Sequence, residues 1–294
     1  MAKPFVKWAG GKRQIIDEIN KRLPEDLENK ITKYVEPFVG GGAVLFELLN
    51  NYNFEDIYIS DSNENLINLY IGIRDYRYEI ITILRDLEDK YLPLENEERK
   101  FIYYSIRDRY NQLENNGNNK ILKSAYFIFL NKTCFNGLYR VNKKGEFNVP
   151  MGSYKKPLIC DEENLNDVSN KLQGVNIFYG DFEKCYEFIE ENTFVYVDPP
   201  YRPLSSTSSF TSYTNQGFND DEQIRLSKFL KNINNKKNAK FLLSNSDPKN
   251  SDLDDNFFDD LYKEFNIDRI DANRNISSKN KSRKKIKELL IYNY

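Results

Sequence analysis

Four consecutive residues, Asp198-Pro199-Pro200-Tyr201, have the types and spacing in this chain that are best suited to chemistry. They follow residues 194–197, an apolar run typical of a buried strand. Neither proline has a backbone N–H to donate, and each ring fixes φ, so the turn is stiff. The Asp198 carboxylate and the neighbouring carbonyl groups are therefore presented as acceptors beside the flat ring of Tyr201. This arrangement suits a planar base that carries an exocyclic amine.

The amine of adenine is a poor nucleophile because its lone pair is delocalised into the ring. If Asp198 and the Pro199 carbonyl each accept one of its N–H bonds, the nitrogen is drawn towards tetrahedral geometry and its lone pair can attack. With an activated electrophile, such as the methyl of a sulfonium, positioning and preorganised dipoles then suffice for catalysis. The alternative is a proline turn after a core strand, with Tyr201 merely packed, because Asp-Pro-Pro also occurs by chance.

Composition excludes several other kinds of site. The chain has 294 residues, enough for one large domain or one domain with an inserted module, and it contains no histidine. Histidine-based acid–base catalysis, histidine metal sites and Ser-His-Asp nucleophiles are excluded with it. Cys134, Cys160 and Cys185 lack the spacing of a metal site or a disulfide framework, so we expect free thiols and no metal. No apolar run could span a bilayer and no signal region is seen at the N-terminus, so we expect a cytoplasmic protein with no membrane partner.

Charge is segregated along the chain. The net charge of −2 argues weakly against a nucleic-acid partner, but between residues 132 and 156 six lysines and arginines face Glu146 alone. Residues 274–287 hold seven basic residues and no acid. Each run could be a solvated loop, but two such runs favour contacts with phosphates.

A glycine turn between two predicted strands indicates a nucleoside-cofactor unit. Residues 34–38 predict a strand that runs into Gly40-Gly41-Gly42, a helix follows at 43–49, and a second strand at 57–60 ends at Asp61. Glycines let a cofactor approach the backbone, and an acid 21 residues beyond Gly40 can take both ribose hydroxyls. A strand at 175–179 ends in Gly180-Asp181-Phe182, whose acid and ring could hold an adenine.

The remaining pattern predicts an insertion and a closing hairpin. Residues 76–130 are highly charged and predicted to be helical, and Arg13 to Leu23 and Lys184 to Ile189 are also predicted to be helical. Lys143-Lys144-Gly145 between two short β-type runs predicts a hairpin, where we place DNA base reading, although a purely structural hairpin would have the same pattern. Residues 204–217 predict a loop over the site, and residues 267–272 with 288–294 predict a closing hairpin.

Taken in order, these motifs resemble the Dam family of DNA adenine-N6 methyltransferases, and more closely its GATC-specific, DpnM-type members from restriction–modification systems. The resemblance covers nearly the whole chain, and the run 135–157 is its most specific part. It implies a Rossmann-like α/β sheet with helices on both faces and S-adenosylmethionine as cofactor. We expect a catalytic domain formed by residues 1–70 and 171–294, and an inserted, mainly helical target-recognition domain at 71–170 that carries the β-hairpin.

The resemblance also assigns roles by position. It implies catalysis by Asp198, Pro199, Pro200 and Tyr201. It implies cofactor contacts for Trp8, Lys12, Phe38, Gly40, Gly42, Asp61, Asp181, Phe182 and Asp198. It implies DNA contacts for Lys7, Asn136, Leu138, Arg140, Asn142, Pro150 and Lys155. Arg140 can pair with the two major-groove acceptors of guanine. Ser153 departs from relatives that carry a basic residue there, which weakens one contact and the GATC assignment.

The implied partners are double-stranded DNA and S-adenosylmethionine, with a restriction endonuclease acting on the same site without a stable complex. We expect a monomer or a weak dimer. The target adenine leaves the base stack to reach Tyr201, at a cost of a few kcal/mol.

Three other functions remain as alternatives. Methyltransferases of RNA or protein amides typically have Asn-Pro-Pro-Tyr, whereas this chain has Asp198. A nicotinamide dehydrogenase would use the same glycine–acid unit but would leave residues 135–150 unexplained. An inactive DNA-binding regulator would not need intact catalytic and cofactor motifs.

Overall fold

The computed structural model describes residues 1–117, 119–202, 218–272 and 286–294. The predicted loop at 204–217, with Phe210 and Tyr213, lies outside the described residues. Of the basic run at 274–287, only the last member, Lys287, lies within the described residues. Among the described helices, none has both the length and the apolar character that a bilayer crossing requires.

Within the described residues, seven strands form one mixed sheet in the order β3-β2-β1-β4-β5-β7-β6. Their bounds are β1 Lys33–Glu36, β2 Asp56–Asp61, β3 Asn176–Tyr179, β4 Thr193–Val197, β5 Lys240–Ser246, β6 Asn266–Ala272 and β7 Ile286–Tyr292. The pairs β1–β2, β1–β4 and β4–β5 are parallel, whereas β7 runs antiparallel to both β5 and β6. The predicted α/β class is confirmed, and β6 and β7 form the predicted closing hairpin.

Eight α-helices are described: α1 Ile16–Asn20, α2 Ala43–Asn51, α3 Glu64–Tyr91, α4 Asn96–Gln112, α5 Asn119–Thr133, α6 Glu162–Lys171, α7 Asp220–Lys237 and α8 Phe257–Leu261. Non-helical dihedral angles at Tyr76 kink α3. The ends of α7 follow from its sequence. The Asn219 side chain accepts the backbone N–H of Glu222 at 3.1 Å, and Asn238 ends the helix in the left-handed region.

Contacts divide the chain into two units. Unit 1 comprises residues 1–11, 40–51 and 63–179, and unit 2 comprises residues 12–39, 52–62 and 180–294. In unit 2, β4 is buried along its whole length, and the apolar face of α7 packs in the same core cluster. β4 is therefore covered on both faces, as is usual for a strand inside a parallel sheet. The predicted division into domains at residues 70 and 171 stays a prediction.

Three local elements differ from the sequence-based expectation. The helix predicted from Arg13 to Leu23 is a 3₁₀ turn at Lys12–Gln14 followed by the short α1, whose N-cap residue Ile15 makes no side-chain capping bond. The helix predicted near residues 184–189 is a 3₁₀ helix, Phe182–Phe188. The predicted hairpin at 143–145 is a tight turn closed by one antiparallel bridge, Val141 to Phe147, instead of two strands.

Candidate active site

Asp198 lies one residue beyond β4, where two donors hold its carboxylate. Because Val197 is paired with Leu243 in the parallel register of β4 and β5, Asp198 and Ser244 fall side by side. The Ser244 hydroxyl donates to Asp198 Oδ1 at 3.1 Å, and the Lys12 ammonium lies 2.8 Å from the same oxygen. Both contacts use Oδ1, so they leave Oδ2 to accept a hydrogen bond from a ligand.

The Ser244 hydroxyl is itself oriented by a hydrogen bond with Tyr196. The Tyr196 hydroxyl lies 3.0 Å from Ser244 Oγ, and both residues are fully buried. Since Ser244 gives its hydrogen to Asp198, the Tyr196 hydroxyl is the donor in this pair. The side chains of β4 and β5 therefore form a short buried chain of hydrogen bonds that ends on the carboxylate.

Tyr201 is tied to the same ammonium group. Lys12 Nζ donates to Tyr201 Oη at 2.6 Å and lies 4.5 Å from the centroid of the ring. Tyr201 Oη in turn donates to Glu288 Oε2 on β7 at 2.9 Å. Lys12 was expected among the cofactor contacts. Glu288 was not predicted, because it belongs to no local motif and reaches the site through the pairing of β7 with β5.

The backbone of the turn is held by buried amides. Gln223 Nε2 donates to the Pro200 carbonyl at 3.1 Å, and Asn245 Nδ2 donates to Gln223 Oε1 at 3.2 Å. Gln223 and Asn245 are both fully buried. Pro199 is buried as well, whereas Pro200 is exposed. These bonds give the stiff turn a fixed place at the end of the sheet.

An arginine anchors the far side of the turn. Arg202 makes two hydrogen bonds to Asp220, at 2.7 and 2.9 Å, and one to Asp255 at 2.6 Å. Its guanidinium also lies 4.3 Å from the centroid of the Phe257 ring. Paired charge-assisted bonds of this kind fix geometry as well as charge.

Burial shifts the pKa of two acids at the strand ends, Asp198 and Glu36. Burial raises the pKa of Asp198, while the Lys12 ammonium opposes that rise. Glu36, at the end of β1, is 2% exposed, and burial raises its pKa well above 4.5. The Tyr34 hydroxyl donates to Glu36 at 2.7 Å and works against this shift, whereas the charges of Asp198 and Asp61 add to it. Glu36 is therefore held in its neutral form to well above the ordinary range of a carboxylic acid.

The predicted cofactor residues of unit 2 follow the strand ends. Asp61 ends β2, and its carbonyl accepts the N–H of Gly180 at 3.1 Å. Phe38 is partly buried, with its ring 5.4 Å from that of Phe182, which is 3% exposed. Asp181 accepts the N–H of Glu183 and caps the 3₁₀ helix.

Arg225 of α7 contacts both Asp181 and Phe182 and was not predicted from the sequence. Its guanidinium makes two hydrogen bonds to Asp181, at 2.9 and 2.6 Å, and lies 4.2 Å from the centroid of the Phe182 ring. Phe182 is therefore a core residue with a cation on its face, and the carboxylate of Asp181 already has a charged partner.

The predicted cofactor residues of unit 1 have packing reasons for their identity. Gly40 has φ +48°, and a Cβ there would lie 3.0 Å from the Trp8 indole. Gly42 has φ +75°, and a Cβ there would lie 2.6 Å from the hydroxyl of Tyr70. The Trp8 ring stacks on Tyr139 at 5.2 Å. Both glycines are required by close contacts within this unit, whatever else they bind.

The predicted DNA contacts all belong to unit 1. Six are exposed: Lys7, Asn136, Leu138, Arg140, Pro150 and Lys155. Asn142 is partly buried and closes the 142–146 turn, because its side chain accepts the N–H groups of Lys144 and Glu146 and donates to the Glu146 carboxylate. Arg140 donates through Nε to Asn148 Oδ1 at 2.8 Å and through Nη2 to the Asn148 carbonyl at 3.2 Å. Asn148, which the sequence did not single out, thus fixes one edge of the guanidinium.

Comparisons with known proteins agree on one family. A family model described as D12 class N6 adenine-specific DNA methyltransferase matches residues 8–276. The chain is 52% identical over 294 residues to the type II methyltransferase M.MjaIII of Methanocaldococcus jannaschii, with 99% of each chain covered. It is 37% identical over 294 residues to the type II methyltransferase M1.LlaDCHI of Lactococcus lactis subsp. cremoris, covering 99% of this chain and 95% of that one. It is 34% identical over 288 residues to a DNA adenine methylase of Vibrio cholerae serotype O1, covering 98% and 95%.

The neutral state of Glu36 predicts a pH-dependent difference in stability. Between 4.5 and the raised pKa, the unfolded chain loses this proton and the folded chain keeps it, so the stability of the folded state falls as pH rises. Glu36→Gln cannot ionise and keeps an acceptor for Tyr34. We therefore expect its melting temperature, relative to that of the unaltered protein, to increase steadily as the pH is raised above 4.5, the ordinary pKa of a glutamic acid. Thermal unfolding of both proteins across this range measures the difference, and a constant offset would contradict the assignment.

Proposed function

This chain belongs to the D12 class of N6 adenine-specific DNA methyltransferases, and we propose from that premise that its target is the adenine of GATC in duplex DNA. It is an adenine-specific DNA methyltransferase that uses S-adenosylmethionine as methyl donor. The GATC assignment is supported by the resemblance of residues 135–157 to GATC-specific enzymes. Within this proposal Lys7, Asn136, Leu138, Arg140 and Pro150 lie on or near the bases of the site.

The observation that carries the proposed mechanism is the single-sided hold on Asp198. Lys12 and Ser244 both bind Oδ1, so Oδ2 is the oxygen that accepts one N–H of the target amine. The Pro199 carbonyl accepts the other N–H, which frees the lone pair of the nitrogen. The Tyr201 ring, fixed by its hydroxyl to Lys12 and Glu288, stacks on the base once it has left the duplex. Positioning and fixed dipoles supply the rate enhancement.

The predicted cofactor side chains of unit 2 have the chemical groups that S-adenosylmethionine requires. The Asp61 and Asp181 carboxylates can accept from hydroxyl and amine groups, and Phe38 offers a partly exposed ring for an adenine. When bound, S-adenosylmethionine supplies the activated methyl group. Asp181 would then exchange or share its Arg225 contact, and the buried Phe182 would support the site from beneath. The roles of Trp8, Gly40 and Gly42 at the cofactor, and of Asn142 and Lys155 at DNA, stay predictions.

We further propose that the protein is the modification enzyme of a restriction–modification system. The relatives M.MjaIII and M1.LlaDCHI are both named type II methyltransferases, which supports this role over that of a solitary Dam-type methylase. A restriction endonuclease would then act on the same site without forming a stable complex, and the methyltransferase would work as a monomer or weak dimer.

Sequencing of modified DNA tests the target. We expect purified protein, incubated with unmethylated plasmid and S-adenosylmethionine, to place N6-methyladenine at GATC and at no other recurrent sequence. Single-molecule sequencing that detects methyladenine in context reads the result. Methylation confined to a different motif would refute GATC while leaving adenine methylation in place.

Replacement of the catalytic acid tests the mechanism. Asp198→Ala removes the acceptor for the target amine, so we expect methyl transfer to fall by about 10²–10³-fold while cofactor binding is largely retained. Single-turnover transfer from tritiated S-adenosylmethionine and calorimetric binding provide the two measurements. Asp221→Ala, at an exposed carboxylate of the first turn of α7, is the matched control. Unchanged turnover in the Asp198 variant would refute the role assigned to it.

The contact between Tyr201 and Glu288 yields a third expectation. Glu288→Ala removes the acceptor that fixes the Tyr201 hydroxyl, and a loss of alignment of this size can slow transfer by up to about 10²-fold. Glu288→Gln keeps an acceptor at the same place, so it should retain most of the rate. Single-turnover kinetics compare the two variants, and equal impairment would show that the charge of Glu288, and not its hydrogen bond, is what matters.

A further inference from the structure

A buried asparagine joins two separate segments of unit 1. Asn131, in the last turn of α5, is 1% exposed. Its Oδ1 accepts the N–H of Lys7 at 2.8 Å, and its Nδ2 donates to the carbonyl of Lys7 at 2.9 Å and to that of Gly137 at 3.0 Å. One amide thus binds both backbone groups of Lys7 and one of the 135–138 turn.

Two other helix asparagines of unit 1 pair with backbone in a similar way. Asn164 accepts the N–H of Lys3 at 2.8 Å and donates to its carbonyl at 3.1 Å. Asn111 accepts the N–H of Phe147 at 2.8 Å and donates to its carbonyl at 3.1 Å. Each amide takes the place that a neighbouring strand would take for one residue, which satisfies backbone groups in irregular chain. Asn131 differs from both because its third bond reaches a second segment.

Side-chain packing reinforces this junction. Gly137 has φ +65°, and a Cβ at this position would collide with the side chain of Lys7, which therefore lies directly on the glycine. Lys7 Nζ donates to the Tyr154 hydroxyl at 3.2 Å and lies 4.7 Å from the centroid of that ring. The exposed side chains of Lys7, Asn136 and Leu138 thereby start from backbone held at one buried point.

We propose that Asn131 is a positioning residue for sequence recognition, which fixes Lys7 relative to the 136–138 turn so that both read neighbouring bases in one register. The inference rests on the proposed function, because it takes Lys7, Asn136 and Leu138 as base-reading residues. Asn131 itself touches no DNA and acts only through the segments that it joins. Since hydrogen bonds to bases require correct distance and angle, a shift between the two segments weakens discrimination more than it weakens binding to phosphates.

Asn131→Asp is the variant that separates this role from general support. The carboxylate still accepts the N–H of Lys7, but its second oxygen faces the carbonyls of Lys7 and Gly137, which it cannot bind when ionised. Asn164→Asp is the matched control, because it keeps the N–H of Lys3 and opposes the carbonyl of Lys3 in the same way. Asn131→Ser is a second variant with a smaller side chain and no charge.

The experiment measures where each protein methylates. The full-length variants are incubated with a plasmid library of random sequence and S-adenosylmethionine, and methyladenine is read in context by sequencing. We expect Asn131→Asp and Asn131→Ser to lower the ratio of methylation at the wild-type site to that at sites differing by one base by about tenfold, the effect of one weakened base contact. Asn164→Asp, with a melting temperature similar to that of the Asn131 variants, should leave the ratio unchanged.

Two results would overturn the proposal. One is an unchanged ratio in the folded Asn131 variants, which includes an equal loss of methylation at every site. The other is that neither Asn131 variant folds while Asn164→Asp does, which would make the amide a structural support only. The ratio is defined by whatever site the wild-type protein prefers, so a failure of the GATC assignment leaves this test intact.

Discussion

The structure of the candidate site depends on one ion pair, between Lys12 and Asp198. The Lys12 side chain is 4% exposed and that of Asp198 is 20% exposed, so neither charge has much water to stabilise it. A buried charge is tolerated only when it is paired and hydrogen-bonded, and here each group provides that for the other. Because the same ammonium also binds the Tyr201 hydroxyl, the acid and the ring of the turn are fixed relative to each other.

In unit 1, asparagine side chains satisfy the backbone hydrogen-bonding groups of irregular segments. Its exposed segments are irregular chain, and their backbone groups need partners that a sheet would otherwise give. Asparagines on helices supply those partners at Lys3, Lys7 and Phe147, and Asn142 does the same inside its own turn. These four asparagines therefore have a structural role in unit 1. Short amide side chains hold these segments in place without adding a charge.

Contiguous motifs could be predicted from the sequence, and contacts made by the fold could not. The Asp198 turn and the glycines at 40 and 42 follow strands, and Asp61 ends one, so the local pattern was enough to predict where they lie. Ser244 and Glu288 reach the turn through the register of β5 and β7, and Arg225 reaches Asp181 from a helix far along the chain. The helix predicted from residue 13 was too long. Apolar spacing alone does not show that the Lys12 side chain is buried or that Ile15 provides no capping bond.

A double-mutant cycle on the free energy of unfolding tests the central ion pair most directly. Lys12→Met and Asp198→Asn each leave one group without its charged partner, and removing one member of a buried pair costs about 3–5 kcal/mol. Urea unfolding of the two single variants and the double variant gives the three values. The account predicts that the double variant loses less stability than the sum of the singles by at least about 2 kcal/mol. Losses that add to within about 0.5 kcal/mol would show that the two groups do not stabilise each other.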